Sequence, residues 1–228
     1  MHSPRPVSVI MDVTYFGSWG ILVVIDPNAN RAARENLVLY YGFLEGSERT
    51  AHYEVALDTL EGLGYTIVGA TIDGRRGVRE LLNARNIPVQ YCQFHQLQII
   101  TRCLTRRPHL PQNQALRAIA LTLSTSTEAQ LTAELDAWHS LHRRWLKQKE
   151  GSTGRYTHPS TRQAYFSLRR NLPYLFTCRQ STLHPIPNTT NALDGRFGVW
   201  KIMLHRHRGC SRRLKTKILY SLFATEQR

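Results

Sequence analysis

Over the first hundred positions the pattern alternates between strands and helices, and it opens with short apolar runs that predict strands. VSVIMDVTYF (7–16), WGILVVID (19–26) and NLVLYYGFL (36–44) are rich in β-branched and aromatic residues. Gly17-Ser18 joins the first two and suits a tight hairpin. The turn-like DPNANRA precedes the third. Three strands with such short connections make an antiparallel meander. The period then changes. ERTAHYEVALDTLEGLG brings Ala51, Val55, Leu57, Leu60 and Leu63 near helical spacing, and Gly62 and Gly64 end the helix. YTIVGATID reads as a fourth strand. GRRGVRELLNARNI reads as a short helix with Val78, Leu81 and Leu82 on one side. PVQYCQF reads as a fifth strand, and HQLQIITRCL opens another helix.

The order β-β-β-α-β-α-β-α places a helical crossover between strands three and four, so strand four lies parallel to strand one in a mixed sheet. That is the order of a ribonuclease H-like α/β fold: five strands, the first three antiparallel, with strands one and four as neighbours. From about Pro108 to Glu150 the chain reads as helical, and the loops GSTGRYTHPS and STLHPIPNTTN flank the helix that follows. Thr127 is an N-cap with Gln130 three residues on as a capping box. Leu131, Leu135, Trp138, Leu141 and Trp145 form one stripe. TRQAYFSLRRNLPYLF is expected to end before Pro173. The last helical stretch, ALDGRFGVWKIMLHRHRG, breaks at Gly209 and resumes as SRRLKTKILYSLFA.

Charge changes the picture. The chain carries 30 Lys and Arg against 16 Asp and Glu, a net +14 over 228 residues. Residues 1–100 hold 8 basic and 10 acidic side chains, whereas residues 101–228 hold 22 and 6. Positive charge concentrated in one half points to a polyanionic partner, nucleic acid first and acidic membrane second. No apolar run approaches the ~20 residues of a membrane helix, and no signal-peptide pattern opens the chain. A cytoplasmic protein follows as the default. Four scattered cysteines read as reduced thiols rather than a disulfide framework.

Asp12 is out of keeping with its run. A carboxylate in an apolar strand points to solvent, or it needs a partner or a metal. Asp73 ends the neighbouring strand four, so the two carboxylates would sit side by side. Paired carboxylates of this kind suit hard divalent ions and metal-assisted phosphoryl transfer. Asp194 is the isolated acid of the basic half: residues 195–225 hold eight Lys and Arg and no acid. It either favours its helix N-terminus or serves as a third ligand flanked by phosphate-binding cations.

TIDGRRG, CQFH about twenty residues on, and TTNALDGRFGVWK before a basic helix together resemble the catalytic domain of a DDE-type transposase. The resemblance is to the Mutator-like superfamily of bacterial insertion sequences and runs from about Val7 to Leu219. It implies a ribonuclease H-like core split by an all-helical insertion: residues 1–102, then the insertion at 103–185, then 186–228 with the third acid and the basic helix. It implies Asp12, Asp73 and Asp194 as the catalytic and metal-holding acids, with two Mg²⁺ or Mn²⁺ ions. The family's third acid is usually Glu; Asp194 is shorter by one methylene, about 1.5 Å of reach. It implies cleavage and strand transfer of DNA, with transposon ends and target DNA as partners, in a homodimer or higher oligomer associated with a bacterial nucleoid. An N-terminal domain that reads terminal repeats is expected to be absent, making the chain a fragment or a truncated frame. The alternatives are an inactive remnant that binds DNA, and a ribonuclease H-like nuclease or resolvase.

Further candidates are weaker. Cys92 and His95 are, by resemblance, a near-site signature; they could also be structural, or half of a zinc set completed by His139 and His142. Trp138 and Trp145 belong to the core or stack on an unpaired base. Arg75 and Arg76 beside the second acid, with Arg196, Lys201, Arg206, Arg208, Arg212 and Arg213, are the candidate DNA phosphate contacts.

Overall fold

The computed structural model describes residues 5–29, 37–180 and 183–226. They form an α/β protein with a five-stranded mixed sheet and eight helices. The strands are β1 (Arg5–Tyr15), β2 (Trp19–Ile25), β3 (Val38–Glu45), β4 (Tyr65–Ile72) and β5 (Val89–Tyr91), in the spatial order β3-β2-β1-β4-β5. Helix α1 (Thr50–Gly62) lies between β3 and β4, and α2 (Arg76–Ala84) between β4 and β5. Then follow α3 (Gln93–Leu104), α4 (Pro111–Leu121), α5 (Glu128–Leu146), α6 (Pro159–Leu175), α7 (Asn191–Arg206) and α8 (Arg212–Glu226).

The chain divides into two compact units, residues 1–90 with 177–228, and residues 91–176. Helix α3, expected in the first unit, falls in the second.

In the first unit, β1 pairs antiparallel with β2 and parallel with β4. The hairpin turns at Gly17, whose φ of 80° suits glycine, and the Phe16 N–H donates to the Trp19 carbonyl at 2.8 Å. Ile10, Ile21, Val23 and Ile25 share one sheet face and pack with Leu193, Phe197, Trp200 and Leu204 of α7 and with Leu219 and Phe223 of α8. The other face carries Val9, Met11, Leu22 and Val24, all buried. Helix α1 packs against β2, β3 and β4. Its buried stripe is Tyr53, Ala56, Leu57 and Leu60. Val55 and Leu63, expected inside, are 55% and 65% exposed. Adding Tyr53 and Ala56 to Leu57 and Leu60 gives the true i, i+3, i+4, i+7 spacing.

The second unit is helical, around Leu116, Leu131, Leu135, Trp138, Leu168 and Leu172. Thr127 caps α5 through its Oγ1, which accepts from the Gln130 N–H, and Gln130 Oε1 accepts from the Thr127 N–H. Leu141, expected on the buried stripe, is 77% exposed, and Leu146 takes the inner position. Pro173 lies inside α6 rather than beyond its end. It lies in the last turn, where little helix follows the lost N–H. Strand β5 stops at Tyr91, and Gln93-Phe94, expected in the strand, open α3.

Candidate active site

The sheet register determines which residues meet at the carboxyl end of β1. Val7 pairs with Ile67 but Ser8 pairs with Gly69, so β4 carries one extra residue, Val68, at that step. Ile10 then stands opposite Thr71. Continued two residues further, this register sets Asp12 abreast of Asp73. Were Val68 itself paired with Ser8, with no shift, Asp12 would come opposite Ile72 instead. Neighbouring strands lie about 4.8 Å apart; β4 itself ends at Ile72, so Asp73 is the first residue past the strand. Asp12 shares the face of Ile10, since side chains alternate along a strand, and that face is the one covered by α7. Its Oδ1 accepts the N–H of Val13 at 2.7 Å.

A strap leads from the second acid's strand to the third acid. Ser8 Oγ donates to the His184 carbonyl at 3.1 Å, and Thr71 Oγ1 donates to the Pro187 carbonyl at 2.6 Å. Between them Ile186 lies over Gly69, where a Cβ would meet Ile186 Cδ1 at 2.4 Å. Only a residue without a side chain lets the strap lie this close. Ser8, Gly69 and Thr71 share the face of Asp12, so the strap crosses that face and runs into α7. Thr190, fully buried at the start of α7, donates its hydroxyl to Asp194 Oδ2 at 2.9 Å. Asp194 is half-buried next to Leu193, which packs in the same cluster as Ile10. Asp194 thus stands at the start of the helix that covers the sheet face bearing Asp12. Among the described residues, however, no three His, Cys, Asp or Glu side chains are grouped closely enough to hold a metal ion.

Two further residues belong here. The Glu48 side chain, 8% exposed, accepts from Arg75 Nε at 2.9 Å and from the buried hydroxyl of Tyr53. Burial pushes the Glu48 carboxyl above its ordinary range; Tyr53 and Arg75 pull it down and the charge of Asp73 pushes it up. Burial raises Tyr53 strongly, and the charges of Glu48, Asp12 and Asp73 add to this. Tyr53 thus lies within electrostatic reach of both Asp12 and Asp73, and Glu48 within reach of Asp73. The signal available in the sequence was Tyr53, at helical spacing from Ala56, Leu57 and Leu60. Nothing local distinguished Glu48 from an ordinary acid ahead of a helix.

The candidate cations divide. Arg75 is engaged by Glu48, and also donates to the Glu48 carbonyl at 3.1 Å. Arg76 pairs with Glu80 at 2.7 Å. Arg212 pairs with Glu45 and lies over the Trp19 ring. Arg196 is half-buried on α7. Lys201, Arg206, Arg208 and Arg213 are exposed and have no carboxylate partner among the described residues. Lys201, Arg206 and Arg208 line a surface groove of about 620 Å³ with Ile202 and His205.

In the second unit, Cys92 is fully buried at the start of α3 and His95 lies in its first turn, beside the ring of Phe94. His139 stacks on Tyr165 and His142 contacts Trp138, and the described residues bring no zinc set together from these four. Trp138 is buried in the core and donates its Nε1–H to the Gln112 carbonyl. Trp145 stacks on His158 at 3.6 Å. No helix of the described residues is long and apolar enough to cross a membrane. Comparison with protein-family models and with curated proteins finds no match.

Proposed function

We propose that this chain is the catalytic part of a DDE-type transposase with a ribonuclease H-like core, which cuts a DNA strand and joins the freed 3′-hydroxyl to target DNA. The observation that supports the reading is the parallel pairing of β1 with β4, which runs as far as Ile10 with Thr71, two residues short of Asp12 and Asp73, together with α7, the helix that bears Asp194, packed on that face of the sheet. Carboxylate oxygens are the donors that Mg²⁺ and Mn²⁺ prefer, and Mg²⁺ needs only one or two from protein beside water and phosphate. Asp12 and Asp73 fit that demand, with Asp194 as the third holder. The bound ions would supply an activated water and offset charge on the scissile phosphate.

The residues of the chain do the rest. Lys201, Arg206, Arg208 and Arg213 hold phosphates of the DNA backbone and fix its position without reading sequence. The Thr190 hydroxyl orients Asp194. Water attacks the phosphodiester and the 3′-oxygen leaves as a hydroxyl. That hydroxyl then attacks a target phosphodiester, one P–O bond forming as another breaks. Paired transposon ends call for two or more copies of the chain.

The test is nicking of supercoiled plasmid with Mg²⁺ or Mn²⁺, beside Asp12→Ala, Asp73→Ala and Asp194→Ala. Metal-dependent nicking lost in all three variants supports the reading; nicking that survives Asp194→Ala removes Asp194 from it. A second reading, a DNA-binding remnant without catalysis, is favoured by the lack of any three-carboxylate group among the described residues. It predicts salt-sensitive DNA binding and no nicking.

A further inference from the structure

The helical unit holds a pocket that the proposed chemistry does not use. It measures about 320 Å³, and its lining includes Arg143, Lys147, Lys149, Arg162, Tyr156 and Phe166. Four cations at one opening would repel one another without an anion. Acids are scarce around them: residues 137–176 hold eight Lys and Arg and a single acid, Glu150. Among the described residues no carboxylate pairs with any of the four cations. Glu150 instead accepts from the Thr153 hydroxyl at 2.9 Å.

The pocket is pre-built. Arg162 donates through Nη1 to the Leu146 carbonyl at 2.9 Å, and its Cζ lies 3.6 Å from the Tyr156 ring centroid and 5.2 Å from that of Phe166; Lys149 Nζ lies 5.2 Å from the Tyr156 centroid. The remaining side-chain N–H groups of Arg162 meet no protein acceptor among the described residues and stay available to phosphate oxygens. Tyr156 is itself fixed. It pairs with Lys149 in a β-bridge, closed by the Thr157 N–H donating to the Gln148 carbonyl and the Glu150 N–H to the Arg155 carbonyl. Yet Tyr156 and Phe166 remain 40% and 41% exposed, leaving aromatic surface at the rim. A held guanidinium, three further cations and partly exposed rings match a ligand with an anionic end and a flat aromatic end.

The geometry points to a binding site for an unpaired nucleotide of a DNA strand, its phosphate on Arg143, Lys147 and Arg162 and its base against Tyr156 and Phe166. Choosing a DNA strand over a free nucleotide rests on the function proposed above; the pocket's chemistry does not. The site lies in the helical unit and requires none of the three candidate acids.

The test uses the full chain in EDTA and follows the anisotropy of a labelled oligothymidylate strand and of a labelled duplex. Tyr156→Ala and Arg162→Ala each weaken strand binding about tenfold, while Tyr156→Phe keeps it and duplex binding stays within about twofold. Should Arg162→Ala unfold, by circular dichroism, Lys147→Gln with Arg143→Gln replaces it and is expected to weaken strand binding severalfold. Unchanged strand affinity in Tyr156→Ala and in the charge variants overturns the site. So does competition by inorganic phosphate as strong as by thymidine monophosphate, which would leave an anion site only. Because no step needs metal or nicking, a chain that fails to nick but shows these losses keeps this site and loses the proposed catalysis. A chain that nicks without them does the reverse.

Discussion

Gly69→Ala probes the strap over the acid pair. A Cβ at Gly69 would stand 2.4 Å from Ile186 Cδ1 and 2.7 Å from Ile186 Cγ1, well inside contact distance. Ile186 is only 4% exposed and cannot simply swing into solvent. Overpacking of this kind costs about 1–3 kcal/mol. Against it, alanine narrows the unfolded ensemble, worth about 0.4–1 kcal/mol in favour of the fold. The net expectation is a loss of about 1 kcal/mol, with a lower urea midpoint and an unchanged slope. In an Ile186→Ala background the obstacle is gone and only the gain from the unfolded state remains. Gly69→Ala should then stabilise, although Ile186→Ala alone costs about 2–5 kcal/mol. The double-mutant cycle therefore reverses the sign of the glycine substitution. If Gly69→Ala has the same sign and size in both backgrounds, the close packing of Ile186 on β4 is wrong.

Three other outcomes follow. Thr127→Ala removes the side-chain cap of α5 and should cost about 1 kcal/mol in urea unfolding, with Thr127→Ser close to wild type. Because burial raises the folded-state Glu48 carboxyl above its unfolded value of 4.5, the native chain binds the extra proton, and this group's contribution to stability falls as pH rises from 4.5. Glu48→Gln should flatten that part of a urea pH series, whereas Tyr53→Phe, which removes a donor from the carboxylate, should steepen it. Removing Lys201, Arg206 and Arg208 should reduce the slope of log affinity for duplex DNA against log salt by about one for each cation lost. An unchanged slope would mean that DNA lies elsewhere or nowhere.

Much of the fold was legible because its signals are local. The runs of Val, Ile and Tyr announce β1 to β4, the shift to helical spacing announces α1, and Thr127 with Gln130 marks the start of α5. What failed was non-local or ambiguous. Val55 and Leu63 are apolar and near helical spacing, but the sheet accepts the stripe of Tyr53, Ala56, Leu57 and Leu60. Leu141 follows the α5 stripe and still faces water, because Leu146 meets the neighbouring helices instead. The adjacency of Asp12 and Asp73 could be expected from strand order. Their register could not, since it turns on one extra residue, Val68, that no periodicity marks. Glu48 escaped notice because its burial arises from Tyr53 and Arg75, which only the fold assembles around it.

The point where the helical unit leaves and rejoins the sheet has a consequence for the protein's history. Thr177 Oγ1 donates to the Val89 carbonyl at 2.7 Å, and the Cys178 N–H donates to Gln90 Oε1 at 2.7 Å. The outgoing and returning strands of chain are thus fastened at a single doorway. The entropy of closing a loop varies only with the logarithm of its length, so doubling what lies beyond the doorway costs about 0.6 kcal/mol more. A lineage carrying such a joint can lengthen, trim or exchange its cargo of helices in one genetic event, while the sheet with Asp12 and Asp73 is inherited unaltered.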